Sequence, residues 1–152
     1  MLVCVLALVI GIVAGLRSML APAVVAWAVR LGDLHVEGTW LAFLGKPWVP
    51  WLLTALAIGE LVVDQLPTTP PRTFPLSFAV RLASGAFAGA AIGADRGRWV
   101  VGALVGMVGA VIGTVGGQAA RAWLAEAYGR DRPAAYLEDA VALAGAFTAA
   151  WV

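Results

Sequence analysis

Long apolar runs with very few charged side chains restrict this chain to a small set of folds. From Trp99 to Ala120 no Asp, Glu, Lys or Arg occurs, and an apolar run of about 18 or more residues indicates a membrane-spanning helix. The chain is 62% hydrophobic and only 12% charged, whereas about 25% of the residues of soluble proteins are charged. We therefore predict an all-α, polytopic bundle of membrane helices that forms a single transmembrane domain over residues 1–152.

The hydrophobic pattern divides the chain into about five membrane-embedded segments. The first segment runs from Leu2 to Val29. A single helix over these residues would be longer than the roughly 30 Å hydrocarbon core that it has to cross. Because Pro22 interrupts helical hydrogen bonding, we expect this segment to kink or break between Arg17 and Pro22. The other segments are expected at about Trp48–Leu66, Leu76–Ala94, Trp99–Trp123 and Arg132–Val152. Polar connections are expected at Arg30–Lys46, Pro67–Pro75, Asp95–Arg98 and Ala125–Arg132.

Glycines at steps of three or four residues predict close packing between helices. Small residues at this spacing form a flat strip that another helix can approach, which matters in lipid because no hydrophobic effect drives helices together there. The predicted packing glycines are Gly11, Gly15, Gly85, Gly89, Gly93, Gly102, Gly106, Gly109 and Gly113, and Gly116 continues the same face. The glycines do not indicate a nucleotide-binding loop, because no strand followed by G-x-G-x-x-G is present.

Charged side chains inside the apolar runs predict a polar centre. A charge near the middle of a bilayer costs roughly 2.5 to 3.5 kcal/mol on insertion scales, so such residues pair, face the protein interior or mark a pathway. Glu60 and Asp64 lie one turn apart on one helix face, where two acids do not both stay ionised easily unless an arginine is close. The predicted polar centre comprises Arg17, Ser18, Glu60, Asp64, Arg81, Glu138 and Asp139, and we expect both arginines to pair with its acids.

Other polar features of the sequence have simpler interpretations. The alternation Asp33-x-His35-x-Glu37 could present three ligands, but this spacing alone does not make a metal site, and we interpret it as a solvated loop. Glu138 and Asp139 lie near a predicted helix start, where the helix dipole favours carboxylates. No metal or cofactor is predicted, and the lone Cys4 can form no intrachain disulfide.

The charge distribution limits the partners of the chain. A net charge of +1 without a basic cluster excludes nucleic acid as a dedicated partner. The expected partners are membrane lipid, a small solute or ion, and a second copy of the chain. Lys and Arg are balanced between the two sets of loops, so the positive-inside rule assigns no orientation.

The polar motifs also occur together in a known family. The combination includes Gly15-Leu16-Arg17-Ser18 with Ala21-Pro22, Gly59-Glu60-Leu61 followed by Asp64 and Leu66-Pro67, Arg81 with its glycine ladder, and Leu137-Glu138-Asp139. It resembles a family of small bacterial membrane proteins filed as domain of unknown function 4126. The resemblance spans nearly the whole chain and implies a multi-pass helical protein of the bacterial cytoplasmic membrane, without implying an activity.

Three classes of function remain open at this point. A transporter or channel for a small solute or ion is favoured, because charged residues occur on several segments beside a breakable helix. In the second class, a structural or interaction protein, the buried charges only fix helix packing. In the third, an intramembrane enzyme acts on a lipid phosphate, with Arg17 or Arg81 as the phosphate clamp and Glu60 as general base. No nucleophile motif supports this third class. Among all residues of the polar centre, Glu60 is the one on which we expect the activity of the protein to depend.

Overall fold

Helices make up most of the computed structural model, which describes residues 1–63, 74–128 and 131–151. The helices are α1 (Leu2–Leu16), α2 (Leu20–Leu31), α3 (Val49–Val63), α4 (Pro75–Ala94), α5 (Trp99–Tyr128) and α6 (Asp131–Trp151), with a short 3₁₀ helix at Trp40–Gly45. No strand occurs in these described residues, which confirms the all-α prediction. Two stretches, Pro75–Ala94 and Trp99–Trp123, are long and apolar enough to cross a membrane, while α1, α2 and α3 are shorter apolar helices.

The first apolar segment is divided into α1 and α2, as its length and Pro22 predict. Arg17 ends α1 in an extended conformation with φ −138° and ψ 105°, and α2 begins at Leu20. Pro22 itself lies in the first turn of α2, where the backbone N–H groups have no intrahelical acceptor and a proline costs no hydrogen bond. The break therefore precedes the proline and places Arg17, Ser18 and Met19 between the two helices.

Helix α5 lies against both α1 and α4 and makes its most extensive contacts with them. A Cβ atom added at Gly89 would lie 2.9 Å from the α-carbon of Gly106, and one added at Gly109 would lie 3.0 Å from the α-carbon of Gly11. Only glycine allows backbones to approach this closely. Each predicted packing glycine lies against a neighbouring segment in this way, namely Gly11, Gly15, Gly85, Gly89, Gly93, Gly102, Gly106, Gly109 and Gly113.

Two sequence predictions about α5 are wrong. Gly116 is exposed and a Cβ atom there would contact nothing within 4 Å, because α1 ends at Leu16, opposite the preceding turn of α5. The polar connection expected from Ala125 is also absent up to Tyr128, since α5 continues through these residues. Alanine and glutamate are strong helix formers, and here their propensity outweighs the drop in hydrophobicity.

The remaining helices surround this three-helix core. Helix α6 packs against α1, α2 and α5, and α3 packs against α2. The indole N–H of Trp27 on α2 donates to the hydroxyl of Thr54 on α3 at 3.0 Å, and Ala142 and Ala146 of α6 are fully buried. These contacts bring one face of α3, one of α4 and one of α6 to the break between α1 and α2.

Candidate functional site

The break between α1 and α2 exposes backbone groups that need partners. At a helix end the last carbonyl groups, and at a helix start the first N–H groups, have no intrahelical partner. At this break, the groups that need a partner include the carbonyls of Gly15 and Leu16 and the N–H groups of Ser18 and Met19. Leaving such groups unpaired in an apolar interior costs free energy. Side chains from other helices provide the partners, as the following contacts show.

Glu60 of α3 binds the N–H groups that precede α2. Its Oε1 atom accepts the backbone N–H of Ser18 at 2.8 Å and the Ser18 hydroxyl at 2.6 Å, and its Oε2 atom accepts the N–H of Met19 at 2.8 Å. Glu60 lies one turn after the buried Ala57, so both residues lie on the α3 face that meets the bundle. A carboxylate in this position is favoured by the positive end of the α2 dipole and by hydrogen bonds that its charge strengthens.

Arg81 of α4 binds the carbonyl groups at the other side of the break. Its Nη1 atom donates to Gly15 O and to Leu16 O, each at 3.0 Å. Arg81 lies on the same buried face of α4 as Gly85 and Gly89, which allows its backbone to come close to the core. A cation is favoured at a helix C-terminus, so Arg81 stabilises the end of α1 as Glu60 stabilises the start of α2. The predicted pairing of Arg81 with an acid stays a prediction.

Arg17, the residue at the break, forms an ion pair with α6. Its Nε atom donates to Asp139 Oδ1 at 2.8 Å, and its Nη2 atom lies 2.6 Å from the same oxygen. The Arg17 side chain is 5% exposed and that of Asp139 is 25% exposed. Asp139 lies on the α6 stripe that continues with the buried Ala142 and Ala146. Asp139 is thus one of the acids proposed for Arg17 that the structure places in contact with it, whereas Glu60 binds backbone N–H groups.

The structure brings together Arg17, Ser18, Glu60, Arg81 and Asp139 around the break. Glu138 is half-buried on α6, next to Asp139 in sequence. Asp64 lies outside the described residues, so its predicted place beside Glu60 stays a prediction. Within the described ranges, no group of three or more His, Cys, Asp or Glu side chains could hold a metal ion.

Two contributors to the site were not predicted from the sequence. The first is Thr114 of α5, which is fully buried and donates its hydroxyl to Ala110 O at 2.8 Å, with Gly15 O at 3.3 Å. The available signal was a single hydroxyl in the uncharged, glycine-rich stretch from Trp99 to Ala120. The second is the backbone N–H of Met19, which no side-chain pattern could reveal.

His35, considered above as one of three alternating ligands, contacts another element. Its backbone N–H donates to Asp95 Oδ1 at 3.0 Å, and its ring Nδ1 lies 3.3 Å from the same oxygen. Asp95 follows the last residue of α4. The contact therefore joins the loop after α2 to the turn between α4 and α5, away from the helix break.

Comparisons with known proteins add no homologue. No family model, no curated protein and no solved structure matches the chain. The resemblance to the family of domain of unknown function 4126 accordingly stays a prediction. The arrangement of charges at the helix break is the observation on which a function can be argued.

Proposed function

We propose that this protein is a polytopic membrane transporter or channel for a small solute or ion, with the break between α1 and α2 as its binding centre. In this proposal the chain is a single transmembrane domain of the bacterial cytoplasmic membrane. The two long apolar stretches, Pro75–Ala94 and Trp99–Trp123, span the bilayer. The first segment, broken into α1 and α2, completes about five embedded segments together with α3 and α6.

The observation that carries this proposal is the convergence of charges on a discontinuous helix. Side chains from three helices meet the break: Glu60 from α3, Arg81 from α4 and Asp139 from α6, the last through Arg17. Transporters use broken helices in this way, because unwound backbone at membrane depth is tolerated where protein or a water-filled cavity satisfies it. Helix ends and charged side chains together form a site that is polar enough to replace the hydration of a solute or ion.

Glu60 has the central role in the proposed mechanism. Its carboxylate is bound by two backbone N–H groups and one hydroxyl, which is the environment that half-helix N-termini offer to an anionic substrate group. A movement of Glu60 away from Ser18 and Met19 would expose this environment to a solute. Transport requires two such states, with Glu60 bound to the N–H groups in one of them and released in the other.

One observation favours the structural alternative. Glu60 and Arg81 bind backbone groups of the break, and Arg17 binds Asp139. Such contacts can hold the two helices in register without any ligand. Arg17, Arg81 and Glu60 all take part in these contacts. The structure therefore gives no support to a lipid-phosphate enzyme that would use them as phosphate clamp and general base.

Flux measurements in proteoliposomes distinguish these functions. The full chain, Glu60→Gln and the control Glu126→Gln are reconstituted, and H⁺, Na⁺, K⁺ and Cl⁻ fluxes are recorded against protein-free vesicles. Glu126 is exposed on α5, so its change removes an acid without touching the break. We expect a flux for at least one ion in the parent and in Glu126→Gln, and its reduction in Glu60→Gln at equal amounts of folded protein. Parent vesicles as tight as protein-free ones, together with reduced heat resistance of Glu60→Gln, would support the structural alternative.

A further inference from the structure

A cavity of about 180 Å³ lies at the end of the bundle remote from the helix break. Apolar side chains from the start of α1 and the end of α6 form part of its wall, including Val3, Leu6, Ala149 and Trp151. Val3 and Ala149 are buried, whereas Trp151 is 39% exposed. The cavity therefore has one apolar side that continues onto the outer surface of the bundle.

The other side of this cavity is charged. Asp33, Asp95 and Arg96 line it together. Asp95 Oδ1 is bound by His35, while its Oδ2 atom lies 3.9 Å from Arg96 Nε. Asp33 is exposed, and 51% of the Arg96 side chain is exposed. Two carboxylates and one guanidinium thus share a small opening, which suits a ligand that carries both a positive and a negative group.

Aromatic residues indicate that this end of the bundle lies at a membrane surface. Trp99 begins α5 directly after the turn that holds Asp95 and Arg96, and its ring lies 6.3 Å from that of Trp40. Trp151 stacks on Phe147 with 5.0 Å between ring centroids. Tryptophan is enriched at the headgroup level of membranes. An apolar wall next to a charged opening at this level matches the chemistry of a phospholipid, with acyl chains on one side and a headgroup on the other.

We propose that this cavity binds the headgroup of a zwitterionic phospholipid with a primary ammonium, such as phosphatidylethanolamine. The ammonium is placed between Asp33 and Asp95, where it can donate up to three hydrogen bonds to carboxylate oxygens. The phosphate is placed at Arg96, whose guanidinium matches phosphate geometry. A quaternary choline ammonium lacks these N–H donors, and an anionic headgroup is repelled by the two carboxylates. The inference rests on the proposed membrane placement and is independent of transport.

Native mass spectrometry of the full chain in detergent tests this site. The protein is titrated with phosphatidylethanolamine, phosphatidylcholine and phosphatidylglycerol of identical acyl chains, and the bound fraction of each is compared. We expect phosphatidylethanolamine to be retained about two- to fivefold better than phosphatidylcholine. A partly exposed ion pair contributes a binding free energy that corresponds to an affinity difference of this size. Asp33→Asn should remove this preference, whereas the matched control Glu126→Gln at the far end of α5 should keep it. Since Asp33 is exposed, its change does not endanger folding.

The remaining outcomes separate this proposal from its alternatives. Arg96→Gln should weaken retention of both phosphatidylethanolamine and phosphatidylcholine without changing their ratio. Equal retention of these lipids by the parent, or an unchanged preference in Asp33→Asn, overturns the headgroup site and leaves the membrane placement intact. Retention of no phospholipid at all likewise overturns the headgroup site. Soluble glycerophosphoethanolamine is added as a competitor, and displacement of the lipid at equal concentration would show that a free phosphoethanolamine compound, and not a lipid, is the ligand.

Discussion

The carboxylate of Glu60 accepts the backbone N–H of Ser18 at 2.8 Å, across 42 positions of sequence. The N–H groups of Ser18 and Met19, which directly precede α2, are therefore bound by a side chain of another helix. The same break has Arg81 at its carbonyl side. The local conformation of residues 17–19 thus depends on tertiary contacts, and variants of these contacts should report on it.

Glu60→Ala should lower the free energy of unfolding by about 1 to 3 kcal/mol, because it leaves the part-buried N–H groups of Ser18 and Met19 without this acceptor. The midpoint of thermal unfolding in detergent measures the change, with exposed Glu126→Ala as control. Glu60→Gln keeps one acceptor oxygen and should lie between the parent and Glu60→Ala. Equal midpoints for Glu60→Ala and the control would show that the carboxylate does not stabilise the break.

Arg17 and Asp139 should show a coupling energy of about 0.5 to 3 kcal/mol in a double-mutant cycle, because they form a largely buried ion pair. The variants are Arg17→Gln, Asp139→Asn and the double change, each examined by denaturant unfolding in mixed micelles. Either single change already removes this ion pair, so the second change should cost less in the presence of the first than it does alone. The loss of stability in the double variant should therefore be smaller than the sum of the two single losses. Strictly additive losses would mean that the two side chains do not interact.

Gly89→Leu should separate α4 from α5 and lower heat resistance strongly, because a Cβ atom there would lie 2.9 Å from the α-carbon of Gly106. Gly59→Leu is the matched control, since a Cβ atom at Gly59 contacts nothing within 4 Å. Both variants are compared by the fraction that remains monodisperse after heating in detergent. A Gly89→Leu protein that inserts and survives heating like the control would refute close packing at this position.

Arg81→Met should destabilise the protein by about 1.5 to 3 kcal/mol for each hydrogen bond lost from a charged donor to Gly15 O or Leu16 O. The exposed Arg98 provides the control variant Arg98→Met. Hydrogen exchange of the residues flanking the break offers a second readout, and we expect faster exchange at the end of α1 in Arg81→Met alone. An unchanged hydrogen-exchange rate at the end of α1 would indicate that Arg81 does not stabilise this helix end.

Much of the fold follows from local sequence pattern. Apolar runs, the absence of strand patterns and the position of Pro22 predict helices and a break in the first segment, because these properties act within a few residues. The glycine steps likewise predict faces on which backbones can meet, since glycine leaves space on one side of a helix whatever the neighbour is. For Gly89 and Gly106 this local property was sufficient to predict that they lie at a close contact between helices.

The partners at the break were decided by the tertiary structure alone. The sequence left the acid partner of Arg17 open among the acids of the polar centre. In the structure Glu60 binds the N–H groups of Ser18 and Met19, and Arg17 binds Asp139. Likewise, Gly116 repeats the glycine spacing but has no neighbouring helix, because α1 ends first. A sequence shows which side chains need a partner, whereas the partner depends on where helices distant in sequence end and cross. Backbone N–H and carbonyl groups, which every residue carries, become binding partners only where the fold exposes them.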